Sequence, residues 1–465
     1  MEERSLKFVA EACAVEIKNG AAKVRIKNVC TDSRQAKDGD LFFAIRGEKF
    51  DGHDFVEEVA AKNVAALVVE KSKAGPARGG PAKLVVDDAR LALGKLAAAY
   101  RREFDLPVVA VAGSNGKTTV KELIASVLRQ KFSTLWSEAS FNNDIGVPLT
   151  LLRLEKSHQA AVLEAGTNHP GELAPLVTMI QPKFGVITNI GREHLEFFGD
   201  VAGVAQEEGW LAELLPTDGK LFLNGDNEWS EKIAARTKAK VVRVGLGEKN
   251  DWRAKGIRLD KNGVTFQVEA PKEGFSGEYR INLLGRHQVA NALFSVAIGV
   301  EFGADLAQIR QGLAGCQPAK MRLQFWEAGG VRVLDDAYNA NADSTIAALE
   351  TLCALPLQGR RVAVLGDMRE LGAHSDAAHA EVGRRAAELG IGQLFVVGKM
   401  APVTAKAARD AGLTRVMEFS DVDTAVQAVK QFLKTGDVVL LKASRASRLE
   451  RIAETLRSGK PQNEN

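Results

Sequence analysis

The chain has 465 residues, 45% of them hydrophobic and 26% charged, an ordinary globular composition with enough length for about three domains. Its 62 Lys and Arg stand against 59 Asp and Glu, and the resulting charge of +3 argues against nucleic-acid binding by phosphate neutralisation. No run is long and apolar enough to span a bilayer, and the charged stretch Glu2 to Lys7 lacks a signal-peptide core. Four scattered cysteines, Cys13, Cys30, Cys316 and Cys353, lack C-x-x-C spacing and read as reduced core thiols, so the expected setting is the cytoplasm.

The first hundred residues mix strand and turn signals, among them Asp32-Ser33-Arg34 and Asp51-Gly52-His53, which reads first as a turn. The Gly-, Pro- and Lys-rich segment Lys71 to Lys83 reads as a surface loop, and Leu91 to Phe104 as an amphipathic helix. From Leu106 onward strands alternate with helices: Val108–Ala112, Val120–Gln130, Ala160–Leu163 and Phe184–Asn189. That rhythm predicts a parallel α/β sheet. Residues 217–285 turn β-rich, ending in Tyr279–Leu284, and Gln288–Phe302 reads as helix. A third unit begins near Lys320, with strand candidates Val331–Leu334, Arg361–Leu365, Leu394–Val397 and Val438–Leu441 in a second doubly wound pattern. Ser458 to Asn465 is polar and expected to be disordered, and no internal repeat occurs.

The most informative segment is Gly113-Ser114-Asn115-Gly116-Lys117-Thr118-Thr119, placed between the strand Val108–Ala112 and the helix that follows. Glycines let backbone N–H groups close around phosphate oxygens, and the helix points its positive end at them. Lys117 is the candidate for the β/γ-phosphates, and Thr118 or Thr119 for Mg²⁺. The loop departs from the usual Walker spacing, because Val111 stands where the first Gly belongs. The bland alternative is a Gly-rich turn with an exposed Lys.

Further motifs are Thr31-Asp32-Ser33-Arg34, the run Asn142 to Pro148, Gly285-Arg286-His287, Asp335-Asp336-Ala337-Tyr338-Asn339-Ala340-Asn341, and Gly366-Asp367-Met368 with Glu370-Leu371-Gly372. With the loop and His194, they make nearly the whole chain resemble the Mur ligase family. The Tyr338 to Asn341 run resembles the branch that adds D-Ala-D-Ala, and the Asp-Asn-Pro-Arg motif of the meso-diaminopimelate- or lysine-adding branch is absent. The resemblance implies three α/β domains. Residues 1–105 are a mixed domain for the UDP-sugar, 106–319 a central parallel-sheet ATPase, and 320–465 a Rossmann-like domain for the incoming amine.

The implied reaction joins D-Ala-D-Ala to UDP-N-acetylmuramoyl-tripeptide with ATP and Mg²⁺, through an acyl phosphate. This is the last cytoplasmic step of the peptidoglycan precursor. Such chemistry needs cations around a triphosphate and a carboxylate, not a nucleophilic side chain. By resemblance Glu164 and His194 are metal ligands, Asn291 lies on the adenine side, and Arg322 and Asp336 serve the triphosphate and ribose once the third domain closes. Asn142 and Asn143 orient phosphate or substrate, or simply form a turn. Tyr338, Asn339 and Asn341 line the dipeptide or tripeptide pocket. Ser444 and Arg445 are weaker candidates there, because Ala443 stands where this branch often has Gly. Ser33 and Arg34 approach the uridine diphosphate, and a binding role for Asp51-Gly52-His53 is the family's suggestion.

A second departure concerns the metal site. Many Mur ligases carry a carbamoylated lysine about fourteen residues beyond the metal-binding His, and here Glu208 holds that place, next to Glu207. Either Glu208 serves the metal through water, or the second metal site is weakened and the helix has drifted. The competing classes are a sister amide ligase adding a single amino acid, a non-catalytic nucleotide-binding relative, and a GTPase. A GTPase would need an Asn-Lys-x-Asp signature, and no Asn-Lys pair occurs. A monomer acting on small molecules, with no nucleic-acid or membrane partner, is expected. Whether the tripeptide ends in lysine or meso-diaminopimelate stays open.

Overall fold

A computed structural model describes residues 1–75 and 80–458. Three large sheets organise it, beside a two-stranded antiparallel pair, Arg4–Ser5 with Arg25–Ile26. The first has five strands in the order Ile17–Lys18, Ala82–Val86, Ala66–Glu70, Asp40–Phe43 and Asn28–Cys30, parallel except at the Ile17–Lys18 edge. The proposed surface loop Lys71 to Lys83 is corrected at its far end. Ala82 already belongs to a strand whose Ala82, Leu84 and Val86 alternate into the core, and residues 76–79 of the segment lie outside those described.

The central sheet has nine strands: Gly277–Ile281, Gly263–Glu269, Trp252–Asp260, Lys240–Gly245, Lys220–Asn224, Phe184–Ile187, Val108–Ala112, Ala160–Glu164 and Thr134–Trp136. The six from Thr134–Trp136 to Lys240–Gly245 pair in parallel, and the β-rich region 217–285 continues the same sheet into an antiparallel edge. The phosphate-loop strand shows why the order works. Val108, Ala110 and Ala112 face one core, while Val109 and Val111 face the other, beneath the helices Lys117–Leu128 and Gln288–Glu301. Both faces are buried, so the strand reads as a continuous apolar run. Val111 pairs with Glu164 and Val186 inside the sheet, so the turn cannot open before Gly113.

The helix Ala89–Arg101 joins the first two units. Tyr100 donates its hydroxyl to the Leu154 carbonyl at 2.7 Å, and the buried Arg101 donates Nε to Ile180 O at 3.0 Å and Nη1 to Phe104 O. One apolar core therefore runs from Leu6 through this helix to the central sheet.

The third sheet orders Gln324–Ala328, Val331–Asp335, Val438–Lys442, Arg361–Gly366, Gln393–Val397 and Val416–Phe419. Only Gln324–Ala328 pairs antiparallel, and it is an edge strand that the apolar pattern did not reveal. Ser458 closes the helix Glu450–Ser458, and the remainder of the tail expected to be disordered lies outside the described residues.

Candidate active site

A cleft of about 2290 Å³ is lined by all three units. Ordinary ligand pockets hold roughly 300–1,000 Å³, so this one has room for several substrates together. Its floor is the carboxyl edge of the central sheet, where crossovers leave in opposite directions and open a crevice. Gly113, Ser114, Asn115, Gly116, Lys117, Thr118 and Thr119 all line it, as do Glu164, His194, Asn291, Arg322 and Asp336.

The loop is held by the neighbouring strand end. Ser114 N–H donates to Asn189 O at 2.9 Å, Asn115 N–H to Asn189 Oδ1 at 2.7 Å, and Gly191 N–H to Ser114 Oγ at 2.8 Å. Gly113 has φ +110°, and a Cβ there would stand 2.5 Å from Thr188 Oγ1. Gly116 has φ +89°, and a Cβ would reach 2.7 Å from Asn291 Oδ1. Both positions demand glycine.

Lys117 opens the helix and turns back over the loop, donating to Gly113 O and to Glu193 Oε2, the latter at 3.2 Å. Burial pushes its pKa down, but Glu193, Glu208 and Glu164 outweigh that and hold it above the ordinary lysine value. Glu208 is fully buried and accepts the Gly113 N–H at 2.7 Å. Burial raises its pKa to about 8, against the pull of Lys117 and with the help of Glu193. Glu207 points elsewhere: its two oxygens accept Gly171 N–H at 2.9 Å and Leu173 N–H at 2.8 Å, at the start of the helix Leu173–Ile180. The register is therefore unambiguous, and Glu208 is the one that faces the loop.

Glu164 Oε2, Glu193 Oε1 and Glu208 Oε1 are buried without a hydrogen-bond partner in the protein. Hard oxygen donors in excess beside one lysine suit Mg²⁺ with a polyphosphate. Among the described residues no three His, Cys, Asp or Glu stand in metal-binding geometry, so phosphate oxygens and water must complete any coordination shell. Thr118 is buried, with its Oγ1 3.3 Å from Ser140 Oγ, and His194 comes to the cleft from the start of the helix Leu195–Phe198.

Several side chains are already engaged. Asn142 donates Nδ2 to Glu164 Oε1 at 2.8 Å, whereas Asn143 Oδ1 accepts Gly146 N–H at 2.9 Å and shapes its turn. Asn291 is buried, not an exposed helix residue, and donates to Gln288 Oε1 at 2.8 Å. Arg322 lies 4.2 Å over the Tyr338 ring. Asp336 accepts Leu323 N–H at 3.0 Å and the buried Lys442 Nζ at 2.6 Å. Asn339 Oδ1 accepts Ala340 N–H, and Asn341 caps the helix Ala342–Ala354 while donating Nδ2 to Asn115 Oδ1 at 3.0 Å.

Ser444 and Arg445 are not brought to the cleft wall. Ser444 is buried and its Oγ accepts Arg369 N–H at 2.9 Å, while Arg445 reaches Met321 Sδ and Glu450. At the N-terminal end Ser33 lines the cleft, and Arg34 reaches Asp32 twice, at 2.9 and 2.7 Å. Lys49, Arg90 and Lys95 add positive charge to that end. His53 has both ring nitrogens occupied, by Asp51 Oδ1 and by Glu70 N–H, so it belongs to its turn.

Sequence reasoning passed over Glu193, although it adjoins His194, because nothing local shows that its carboxylate turns back to Lys117. It also passed over the ties to the third unit. Arg192 holds Asp343 and Glu381, and Glu370 holds His194.

Three family models cover this chain in order: the Mur ligase family catalytic domain over residues 25–101, the Mur ligase middle domain over 111–299, and the Mur ligase glutamate ligase domain over 321–445. A UDP-N-acetylmuramoyl-tripeptide–D-alanyl-D-alanine ligase of Escherichia coli (strain K12) is 38% identical over 452 residues, 95% of this chain and 96% of that protein. The chain belongs to the Mur ligase family. Its fold matches a crystal structure of MurF from Acinetobacter baumannii with a TM-score of 0.90 and 33% identity, over 99% of this Mur ligase and 100% of that chain. It also matches the MurF ligase of Thermotoga maritima in complex with ADP, with a TM-score of 0.79 and 27% identity, over 92% and 97%.

Proposed function

We propose that this Mur ligase joins D-Ala-D-Ala to UDP-N-acetylmuramoyl-tripeptide at the expense of ATP, the last cytoplasmic step of peptidoglycan precursor synthesis. The observation that carries this reading is one cleft holding the Lys117 loop at its floor and Tyr338, Asn339 and Asn341 on its third-unit wall. A near-full-length relative bears that activity in its name.

The chemistry follows from the residues. The tripeptide carboxylate attacks the γ-phosphorus, ADP leaves, and the resulting acyl phosphate is attacked by the dipeptide amine to give an amide and phosphate. Lys117 and the loop N–H groups hold the phosphates, and Asn291 lies beside the base. Thr118, Glu164, His194 and Glu208 are the candidates to hold Mg²⁺, which supplies positive charge to the transferring phosphoryl group. Glu193 keeps Lys117 turned over the loop until phosphate replaces it. Arg322 and Asp336 approach the nucleotide from the third unit. The cationic end with Ser33, Arg34, Lys49 and Lys95 suits a nucleoside diphosphate sugar.

Residues 1–105, 106–319 and 320–465 serve as the UDP-sugar, ATPase and amine domains of a monomer. No helix among the described residues is long and apolar enough to cross a membrane. Phosphate release is the test: it should require ATP, Mg²⁺, the UDP-tripeptide and D-Ala-D-Ala together. Release indifferent to D-Ala-D-Ala, or satisfied by a single amino acid, rejects the reading.

A further inference from the structure

His194 is gripped from the other side of the cleft. It has φ +49° and Glu370 has φ +61°, left-handed conformations that side chains other than glycine rarely adopt. The two strained residues meet: His194 Nδ1 lies 2.5 Å from Glu370 Oε2. Strain of this kind persists only where surrounding contacts hold it, and it gathers at functional sites.

Those contacts are present. Glu370 O accepts the Glu196 N–H at 3.0 Å, and His374 Nε2 lies 2.9 Å from Gly199 O. The third-unit turn 370–374 therefore grips the helix Leu195–Phe198 at both ends. Between these ties Gly372, with φ +51°, runs so close that a Cβ would stand 3.1 Å from Glu196 Cα. With Nδ1 committed to Glu370, the other ring nitrogen, Nε2, is the one left toward the cleft, 3.8 Å from Glu193 Oε2.

We propose that Glu370 is a positioning residue for the metal-binding histidine. It holds the His194 proton on Nδ1 and presents a bare Nε2 to the cation site. A ligating histidine commonly donates its other N–H to a carboxylate, which fixes both tautomer and ring orientation. The unusual feature is the source of that carboxylate, a different structural unit from the histidine. Docking of the third unit and completion of the metal site thus become one event, so the cation is held fully only when the amine-binding wall is in place. This inference rests on the reading of His194 as a metal ligand.

The experiment uses the full chain with ADP and Mn²⁺ as a spectroscopic stand-in for Mg²⁺, so that no turnover is involved. Electron paramagnetic resonance measures Mn²⁺ affinity for the wild type, Glu370→Ala, Glu370→Gln and His194→Ala. Long-range ¹H–¹⁵N spectra of the ligand-free proteins read the His194 tautomer, assigned by the signal missing from His194→Ala. Glu370→Ala should weaken Mn²⁺ binding about ten- to hundredfold and lose the pure Nδ1–H tautomer, while Glu370→Gln, still an acceptor, keeps most of both. Unchanged tautomer and affinity in Glu370→Ala, with His194→Ala weakened, overturns the positioning role alone. Unchanged affinity in His194→Ala overturns the ligand reading beneath it as well.

Discussion

Asp336→Ala leaves Lys442 as a buried cation without its counter-charge. The Lys442 Nζ lies 2.6 Å from Asp336 Oδ2 and 3.0 Å from the Asn339 carbonyl, at the end of a strand buried along its whole length. At that separation Coulomb attraction is about 6 kcal/mol for an effective dielectric constant near 20. Much of it only offsets desolvation: burial pushes the Lys442 pKa down, and Asp336 pulls it partly back. The substitution also strands the Leu323 N–H that Asp336 accepts. Together these should cost about 3–5 kcal/mol.

The pH dependence has a definite sign. Without Asp336 the Lys442 pKa falls further, so the unfolded chain binds more protons than the folded one across the interval up to the ordinary lysine value. Stability of the variant therefore rises with pH over that interval. Calorimetry at several pH values follows the third-unit transition, since a chain of several units need not unfold in one step. The double variant Asp336→Ala with Lys442→Met should recover most of the loss. A single-variant loss below about 1 kcal/mol at every pH, or a double variant no more stable than the single, refutes the account.

Lys117→Ala should lower kcat by about 10³-fold, read by phosphate release, and should also lower the melting temperature in calorimetry, because Glu193 loses its counter-charge in a largely buried pair. Gly113→Ala forces a Cβ against Thr188 and shifts the loop, so kcat/KM for ATP should fall about a hundredfold. Arg192→Ala frees Asp343 and Glu381 of the third unit. Because the pair is partly exposed the penalty is about 1 kcal/mol, enough to open the cleft detectably in small-angle scattering and raise the KM for D-Ala-D-Ala. Burial lifts the thiols of Cys13 and Cys316 to about 11 and about 12, so the folded protein at mildly alkaline pH should resist alkylation at both. Since unfolded thiols ionise first, their contribution to stability is complete below the ordinary thiol pKa and is lost as pH rises through those values.

Much of the molecule could be read along the chain. Strand Val108–Ala112 is found where its apolar run places it, because burial on both faces leaves no polar position in it. The helix after the loop begins at Lys117, three residues before Val120, since Gly116 in a left-handed conformation starts it at once. The candidates that failed to reach the cleft, Ser444 and Arg445, follow a correctly read strand, Val438–Lys442. Their direction depends on Ser444 being drawn under Arg369 N–H, a contact 75 residues away in sequence.

Local sequence alone determined that this chain builds parallel sheets and closes a phosphate loop, and the amide-ligase reading came from the resemblance of its motifs to a known family. Periodicity, glycine conformation and motif spacing are properties of neighbours in sequence. Tertiary structure decided which charges meet: Glu193 with Lys117 across 76 residues, Lys442 with Asp336 across 106, and Glu370 with His194 across 176. Such pairs arise from strand order and from the seating of one unit on another. A carboxylate buried beside a lysine is, in one dimension, indistinguishable from one in water.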